Sequence, residues 1–466
     1  MPTVAGALPR RATAGHASPR AVLVVMCVGY FLVLLDVTIV NVALPEIGVG
    51  LHAGVSGLQW VVDGYALALA SLMLAGGTVG DLHGHRRVVL TGLGVFGAGS
   101  LLCGVAPSAG VLVGARLAQG LGAALLLPGT LAIISGAFPD PRAQARAIGV
   151  WAAIGSLALP AGPLVGGLLI HAFGWRAVFL VNVPIVAVAL VVAARLVRES
   201  VDPGDRRLDR AGVVLGVLLL VATTFAFIQA GRSGAGSPTV IAATAAAVVL
   251  AVAFVLVERR RGDRAMLPLT LFRRRQFSVA NADAATMNLG MLGTLFVLTL
   301  FLQSTQGRSP SEAGVALVPL FAPLAIIAPF SGRLTSRIGP RVPVAAGLGI
   351  AAAGLALLAF AQPGSGYGTL LPAFLLCGVG MGILTPAVVA AAIGAVPGDR
   401  AGLASAINNT ARQAGGAIGI AAAGAIAGEP TAGASFVSGF HAAVLGAAAL
   451  YVIAAVAGAT LLPGSR

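Results

Sequence analysis

The chain contains no lysine; all 29 of its basic residues are arginine. A P-loop needs lysine on the nucleotide phosphates, so a Walker-A ATPase is excluded. Lysine Schiff-base chemistry goes with it. Charge of either sign is scarce, 9% of 466 residues against about a quarter in an average soluble domain. The three cysteines, Cys27, Cys103 and Cys377, are far apart in apolar runs and lack ligand spacing, so neither a disulfide framework nor a metal cluster is expected. The six histidines have no metal spacing, and all but one fall in the tail, loops or helix ends. With no metal or nucleophile constellation, the chain is expected not to be an enzyme. It should need no cofactor, and any pumping must draw on an ion gradient or on a partner.

What is plentiful is apolar: 58% of residues are hydrophobic and the mean hydropathy is +0.97. Runs of about twenty apolar residues recur, each long enough to cross ~30 Å of hydrocarbon. Fourteen such runs predict an all-α polytopic membrane protein with fourteen transmembrane helices. The connection over 171–176 is a short break. The net charge of +14 would suit nucleic acid, but the arginines cluster in short loops as orientation signals. Nucleic acid is therefore not an expected partner; the lipid bilayer is. The opposite loops hold only Arg176, Arg232 and Arg308. By the positive-inside rule a multi-pass protein of the cytoplasmic (inner) membrane is expected, with both termini cytoplasmic.

Two long charged connections divide the helices as six, two and six. The expected organisation is a cytoplasmic tail at 1–20, an N-terminal six-helix bundle at 21–197, a linker with two inserted helices at 198–275, and a C-terminal six-helix bundle at 276–462. The halves repeat. Gly77, Gly84 and Arg86 recur 255 residues on as Gly332, Gly339 and Arg341. Gly120, Gly122, Pro128, Pro139 and Arg142 recur 258 residues on as Gly378, Gly380, Pro386, Pro397 and Arg400. A parallel repeat of this kind is the plan of secondary transporters, with the site between two bundles.

Against that apolar background the polar residues stand out. Asp36 sits in the first helix, in Leu35-Asp36-Val37-Thr38-Ile39-Val40-Asn41. An intramembrane carboxylate costs at least a few kcal/mol, so its default reading is functional. Helix 4 carries Arg116 and Gln119 one turn apart, with Gly120 opening space beside them. The loop after helix 2 reads Gly77-Thr78-Val79-Gly80-Asp81-Leu82-His83-Gly84-His85-Arg86-Arg87. Asp81 lies at the negative end of the helix dipole and should face a positive partner. Helix 5 holds Gly162-Pro163-Leu164-Val165-Gly166-Gly167, which marks a bend or close helix contact.

These stretches resemble the major facilitator superfamily, whose loop signature has the form G-x-x-x-D-x-x-G-x-R-R and whose helix-4 motif is R-x-x-Q-G. The helix-5 pattern is similar to that of the superfamily's antiporters, with Ala158 where Gly is frequent. The helix-1 stretch, Trp60-Val61-Val62-Asp63-Gly64-Tyr65, and Gly174-Trp175-Arg176 resemble the fourteen-helix drug:proton antiporters. The resemblance implies a major facilitator fold, two six-helix bundles plus two inserted central helices. It also implies that Arg116 takes part in proton coupling.

Helix rise places Asp36, Asp63 and Arg116 at one depth of roughly 10 Å, where they are expected to meet. Gln59 and Trp60 share the face of Asp63, and an aromatic beside a carboxylate suits a lipophilic cation. The C-terminal counterparts of Asp81, Arg116 and Gln119 are Ser336, Phe374 and Cys377, so proton handling is expected in the N-terminal half. Asp36, Asp63 and Arg116 are the expected proton-coupling residues. Gln59, Trp60, Asp63, Gln119, Asn408 and Asn409 are the expected substrate contacts. Gly77, Asp81, Gly84, Arg86, Arg87, Gly162, Pro163, Gly166 and Gly167 are the expected conformational motifs.

Burial and a nearby arginine pull a carboxylate's proton affinity in opposite directions. Movement of Asp36 relative to Arg116 could therefore load and release a proton. The expected function is export of hydrophobic, cationic or amphiphilic drugs in exchange for protons, by a monomer. The rivals are a dedicated exporter of one natural product, a proton-coupled nutrient permease and a non-transporting membrane sensor.

Overall fold

The computed structural model describes residues 18–463 except 139, 198, 200–208, 263–264, 266 and 398–399. Most of the tail expected at 1–20, and the connections at either end of the linker expected at 198–275 in large part, lie outside the described residues. Those described form helices and turns, with no strand among them.

In the N-terminal half the helices are α1 (Pro19–Leu51), α2 (Val55–His83), α3 (His85–Gly104), α4 (Ala109–Ala137), α5 (Pro141–Phe173) and α6 (Ala177–Leu196), the last interrupted at Val181. The inserted pair is α7 (Arg210–Ser233) and α8 (Pro238–Arg261). The C-terminal half has α9 (Arg275–Thr305, ending in a π turn), α10 (Pro310–Ile338, interrupted at Leu317), α11 (Arg341–Leu358), α12 (Tyr367–Gly394), α13 (Ala401–Ala427) and α14 (Ala434–Leu461). Short polar residues start several of them. Asp140 accepts from the Ala143 N–H at 2.8 Å with Pro141 in the first turn of α5. Ser309 and Glu312 form a reciprocal capping box at α10, again with proline in the first turn.

Thirteen of the fourteen helices are long and apolar enough to span a membrane. The exception is α13. It has 27 residues, but Asn408, Asn409, Arg412 and Gln413 lower its hydropathy. The sequence pattern suggested a fourteenth apolar run there; the structure shows why the run need not be apolar. Helix α13 packs among α2, α7, α9 and α14, so protein rather than lipid meets its polar positions.

The repeat is visible as equivalent close approaches. A Cβ on Gly92 of α3 would lie 2.9 Å from the Gly122 carbonyl oxygen, and one on Gly347 of α11 would lie 2.8 Å from that of Gly380. A Cβ on Gly77 would meet Pro128 at 3.5 Å, and one on Gly332 would meet Pro386 at 3.9 Å. Each pair carries the same offsets as the sequence repeat. Small residues here let backbones of neighbouring helices touch, which lipid alone would not drive.

Between the halves run two seams, α2 against α13 and α5 against α10. Fourteen crossings put Pro19 and Leu461 at one end of the molecule, the terminal face. The opposite end, the far face, is closed. Gln59 donates from Nε2 to the Ala421 carbonyl at 2.9 Å, and Gln303 donates to the Val42 carbonyl at 2.9 Å. Gly167 sits against Ser311, where a Cβ would come within 2.8 Å of its Cα. Glu429, in the loop before α14, accepts the Val55 N–H at the start of α2 at 3.0 Å. A carboxylate there also complements the helix dipole. Glu429→Ala is therefore expected to lower thermal stability by about 1 kcal/mol, the typical worth of a helix cap, read from the melting transition of the solubilised protein. An unchanged transition would show that the contact contributes nothing.

The inserted pair lies outside both bundles. Helix α7 covers the α2–α13 seam, with Gly231 so close to α13 that a Cβ would reach 2.5 Å from Ala425 Cα. Helix α8 packs mainly on α7 and exposes Ile241, Val248, Val249 and Val252. Such a face suits lipid.

Candidate functional site

The centre of the N-terminal half is a polar network with no exposure to solvent. Asp36 of α1 and Arg116 of α4 form an ion pair in which both side chains are buried. A bare pair at this depth would carry a large desolvation penalty. Further hydrogen bonds offset it. Arg116 donates from Nε to the Val61 carbonyl at 3.0 Å and from Nη1 to Gln119 Oε1 at 2.9 Å. Gln119 donates from Nε2 to Asp36 Oδ1 at 3.3 Å and to Ser100 Oγ at 2.6 Å. Its Oε1 also accepts from the Cys103 thiol at 3.2 Å. Asn182 donates to Ser100 Oγ at 3.2 Å. The guanidinium rests 4.3 Å from the centre of the Tyr65 ring, whose hydroxyl donates to the Val33 carbonyl at 3.0 Å.

Local sequence explains how these helices reach one point. Gly120 lets α4 lie against the Tyr65 backbone, and Gly99 lets α3 approach Gln119, where a Cβ would sit 2.9 Å from its amide nitrogen. Gly162 and Gly166 of α5 do the same for α1, the first against Ile39 N at 2.9 Å and the second against the Ile39 carbonyl at 3.1 Å. Thr38 donates to the Leu159 carbonyl at 3.2 Å and ties α1 to α5 two residues from Asp36. Pro163 meets Gly314 of α10 directly, so the helix-5 motif positions Asp36 and joins the two halves at once.

Asp63 does not join this network. It is fully buried, and neither carboxylate oxygen has a hydrogen-bond partner among the described residues. Equal depth suggested that Asp36, Asp63 and Arg116 would meet, but depth ignores rotation about the axis. The carbonyl of Val61 takes Arg116, whereas Gln59 and Trp60, which share the face of Asp63, point elsewhere. Gln59 reaches α13, and the Trp60 ring lies 6.5 Å from Phe225 of α7. Asp63 thus shares the side of α2 whose Gln59 and Trp60 contact α13 and α7, and it makes no hydrogen bond to Arg116 among the described residues.

A narrow cavity lies between the halves beside the network. Val37, Asn41, Tyr65, Arg116, Gln413 and Ile420 are among the residues that line it. Gln119 stays within the ion-pair network. Asn408 is buried against α9, its amide 3.4 Å from the Ala280 carbonyl and from Asn281 Oδ1. Asn409 crosses the seam to Met73 Sδ at 3.4 Å. Asp283 is buried near Gly458 of α14 and lies inside the C-terminal bundle.

In the last turn of α2, within the stretch that read as a loop, Asp81 lies 3.3 Å from Nε2 of His85, the first residue of α3. Gly84 has φ +98°, a conformation that glycine adopts without strain. Arg86 donates its backbone N–H to Glu199 Oε1 at 3.0 Å and its guanidinium to the Ala194 carbonyl at 2.7 Å. Arg87 Nε is 3.5 Å from Glu199 Oε2. Both arginines therefore bind the end of α6, within their own half. Gly77 contacts Pro128 in the same half.

The sequence pattern did not mark Ser100, Gln303, Glu429 or Glu199, and it marked Asn182 only through Asn182-Val183-Pro184, a stretch that resembles the fourteen-helix drug:proton antiporters. Ser100 was legible only as a polar residue inside an apolar helix, a signal too common in small side chains to stand out.

The comparisons agree with this architecture. The model of the Major Facilitator Superfamily matches residues 26–420 and 284–466. The chain is 40% identical over 399 residues to "Multidrug resistance protein Stp" of Mycobacterium tuberculosis (strain ATCC 25618 / H37Rv), covering 86% of this chain and 74% of that protein. It is 33% identical to "Tetracenomycin C resistance and export protein" of Streptomyces glaucescens, covering 86% and 75%. The crystal structure of a mutant of the nucleoside transporter NupG superposes with a TM-score of 0.68 at 12% identity, over 95% of this chain and 100% of that one, a likeness of fold. With its many spanning helices and these relatives, the chain is a multi-pass membrane protein that belongs to the Major Facilitator Superfamily.

Proposed function

We propose that the protein is a secondary active exporter of hydrophobic, cationic or amphiphilic drugs or antibiotics, driven by protons entering across the cytoplasmic membrane. The observation that carries this reading is the buried Asp36–Arg116–Gln119 network beside the cavity between the halves. Relatives named for multidrug resistance and for tetracenomycin C export support the direction and the substrate class. The arginine-rich connections support cytoplasmic termini, which makes the closed far face the outer one.

In this mechanism Asp36 is the proton carrier and Arg116 its fixed counter-charge, because a guanidinium keeps its proton. Protonation of Asp36 removes the ion pair but leaves Arg116 held by Val61 and Gln119. That loosens α1 from α4 while the rest of the bundle stays intact. Asp63, buried and unpartnered at the seam, is where a proton and a cationic substrate would compete. Rocking of the halves about the α2–α13 and α5–α10 seams then exposes the cavity to each side in turn. The protein works this way as a monomer, with its proton gradient in place of any cofactor.

The test is ethidium uptake into inverted membrane vesicles energised by respiration, which reports export from the cytoplasmic side. Export that collapses on addition of a proton uncoupler is the expected result. Export that persists at the same rate, or an absence of export for a panel of unrelated dyes and antibiotics, would overturn the multidrug reading. A response to one natural product alone would point to a dedicated exporter.

A further inference from the structure

A second arginine sits between the halves, and its surroundings differ from those of Arg116. Arg412 of α13 adjoins the cavity-lining Gln413. Its Nε is buried and has no hydrogen-bond partner among the described residues. The one described group that interacts with it electrostatically is the Tyr30 hydroxyl of α1, across the gap between the halves. Tyr30, Val37 and Asn41 lie seven and four residues apart on one face of α1, and the latter two line the cavity. Tyr30 thus lies about two turns from the cavity-lining Val37 toward the terminal face. Tyr30 is stacked on Trp151 of α5, ring centres 3.8 Å apart and planes 13° from parallel. Gly155 leaves room for that stack, since a side chain there would enter the Tyr30 ring. The Trp151 indole N–H is also buried without an acceptor.

We propose that Arg412, with the Tyr30–Trp151 stack, forms a binding site for the carboxylate of a flat aromatic or otherwise amphiphilic substrate. The charge balance carries the inference. Arg412 Nε and the Trp151 N–H both lack an acceptor among the described residues, and Arg412 lacks the carboxylate that Arg116 has. A guanidinium held inside a membrane protein is normally paired, and here the ligand supplies the pair. Its planar fork matches a carboxylate through two parallel hydrogen bonds. The stacked rings provide an apolar wall for the body of the ligand. An isolated cation would be repelled at this point, so the site selects acids or zwitterions. The proposal rests on the export reading only in taking the space between the halves as the substrate path.

The test uses 2-naphthoate and its uncharged counterpart 2-naphthamide as probes, titrated calorimetrically into the detergent-solubilised full chain. Wild type is expected to bind the acid about tenfold more tightly than the amide, the worth of one charge-assisted hydrogen bond. Arg412→Gln is expected to bring the two affinities together, whereas Arg412→Lys keeps part of the preference through its charge. Trp151→Phe keeps the ring and removes the N–H, and should weaken the acid more than the amide. It provides the readout if Arg412→Gln does not elute as a single folded species. Equal binding of acid and amide by wild type, or an undiminished preference in folded Arg412→Gln, would overturn the site. Ethidium export separates this result from the export reading. Acid-selective binding without any export would leave the site and remove the transporter function proposed above; export without acid selectivity would do the reverse.

Discussion

Asp36→Asn is expected to reduce substrate-driven proton movement in proteoliposomes to the passive leak. Asn retains the shape of the side chain and can still accept a hydrogen bond from Arg116, but it cannot carry a proton. The substitution also strips a buried guanidinium of its counter-charge, which costs about 3–5 kcal/mol when one partner of a buried pair is removed. Loss of transport alone would therefore be ambiguous. The double variant Asp36→Asn with Arg116→Gln separates the two effects. It removes both charges, leaves Gln119 its bonds to Ser100 and Cys103, and should recover most of the lost stability. Transport should remain at background. Proton coupling at wild-type level in either folded variant would remove Asp36 from the mechanism.

The second large effect concerns the closed face. Gln59 and Gly424 oppose each other across the α2–α13 seam, and a Cβ at Gly424 would lie 3.1 Å from Gln59 Cγ. One bond further back, the two Cβ atoms are no more than about 4.6 Å apart, at the edge of disulfide reach. Gln59→Cys with Gly424→Cys is expected to form a bridge under mild oxidation and to stop export. Reductant should restore it. The three native cysteines are buried and unpaired, so they compete little for the new thiols. Transport that continues with the bridge shown to be formed would mean that the far face need not open along this seam. Because Gln59 reaches the α13 backbone through its side chain alone, its loss in the reduced variant leaves the helix ladders intact.

Much of the protein was legible without coordinates. Membrane embedding, helix number, the six-two-six division and the parallel repeat all follow from hydropathy, charge placement and the spacing of Gly, Pro and Arg. Each of these is one-dimensional information, set by chain length against bilayer thickness and by which loops carry charge. The partnership of Asp36, Arg116 and Gln119 was also within reach, because two polar residues one helical turn apart share a face and a lone carboxylate at their depth needs a cation.

Rotation about the helix axes and the assembly of the halves were decided only in three dimensions. Depth alone grouped Asp63 with Asp36, yet two residues' difference from Val61 turns Asp63 to the seam, where Gln59 and Trp60 make their contacts with α13 and α7. Arg86 and Arg87 read as conformational-motif residues with no partner assigned, and the fold binds them to Glu199 beside their own α6. The apolarity expected of α13 was not required, since neighbouring helices take the place of lipid around its polar face. The stretch around Asp36 shows the division. A carboxylate in hydrocarbon announces a functional demand through its solvation energy, but which side chains answer that demand depends on how glycine contacts bring the surrounding helices to one point.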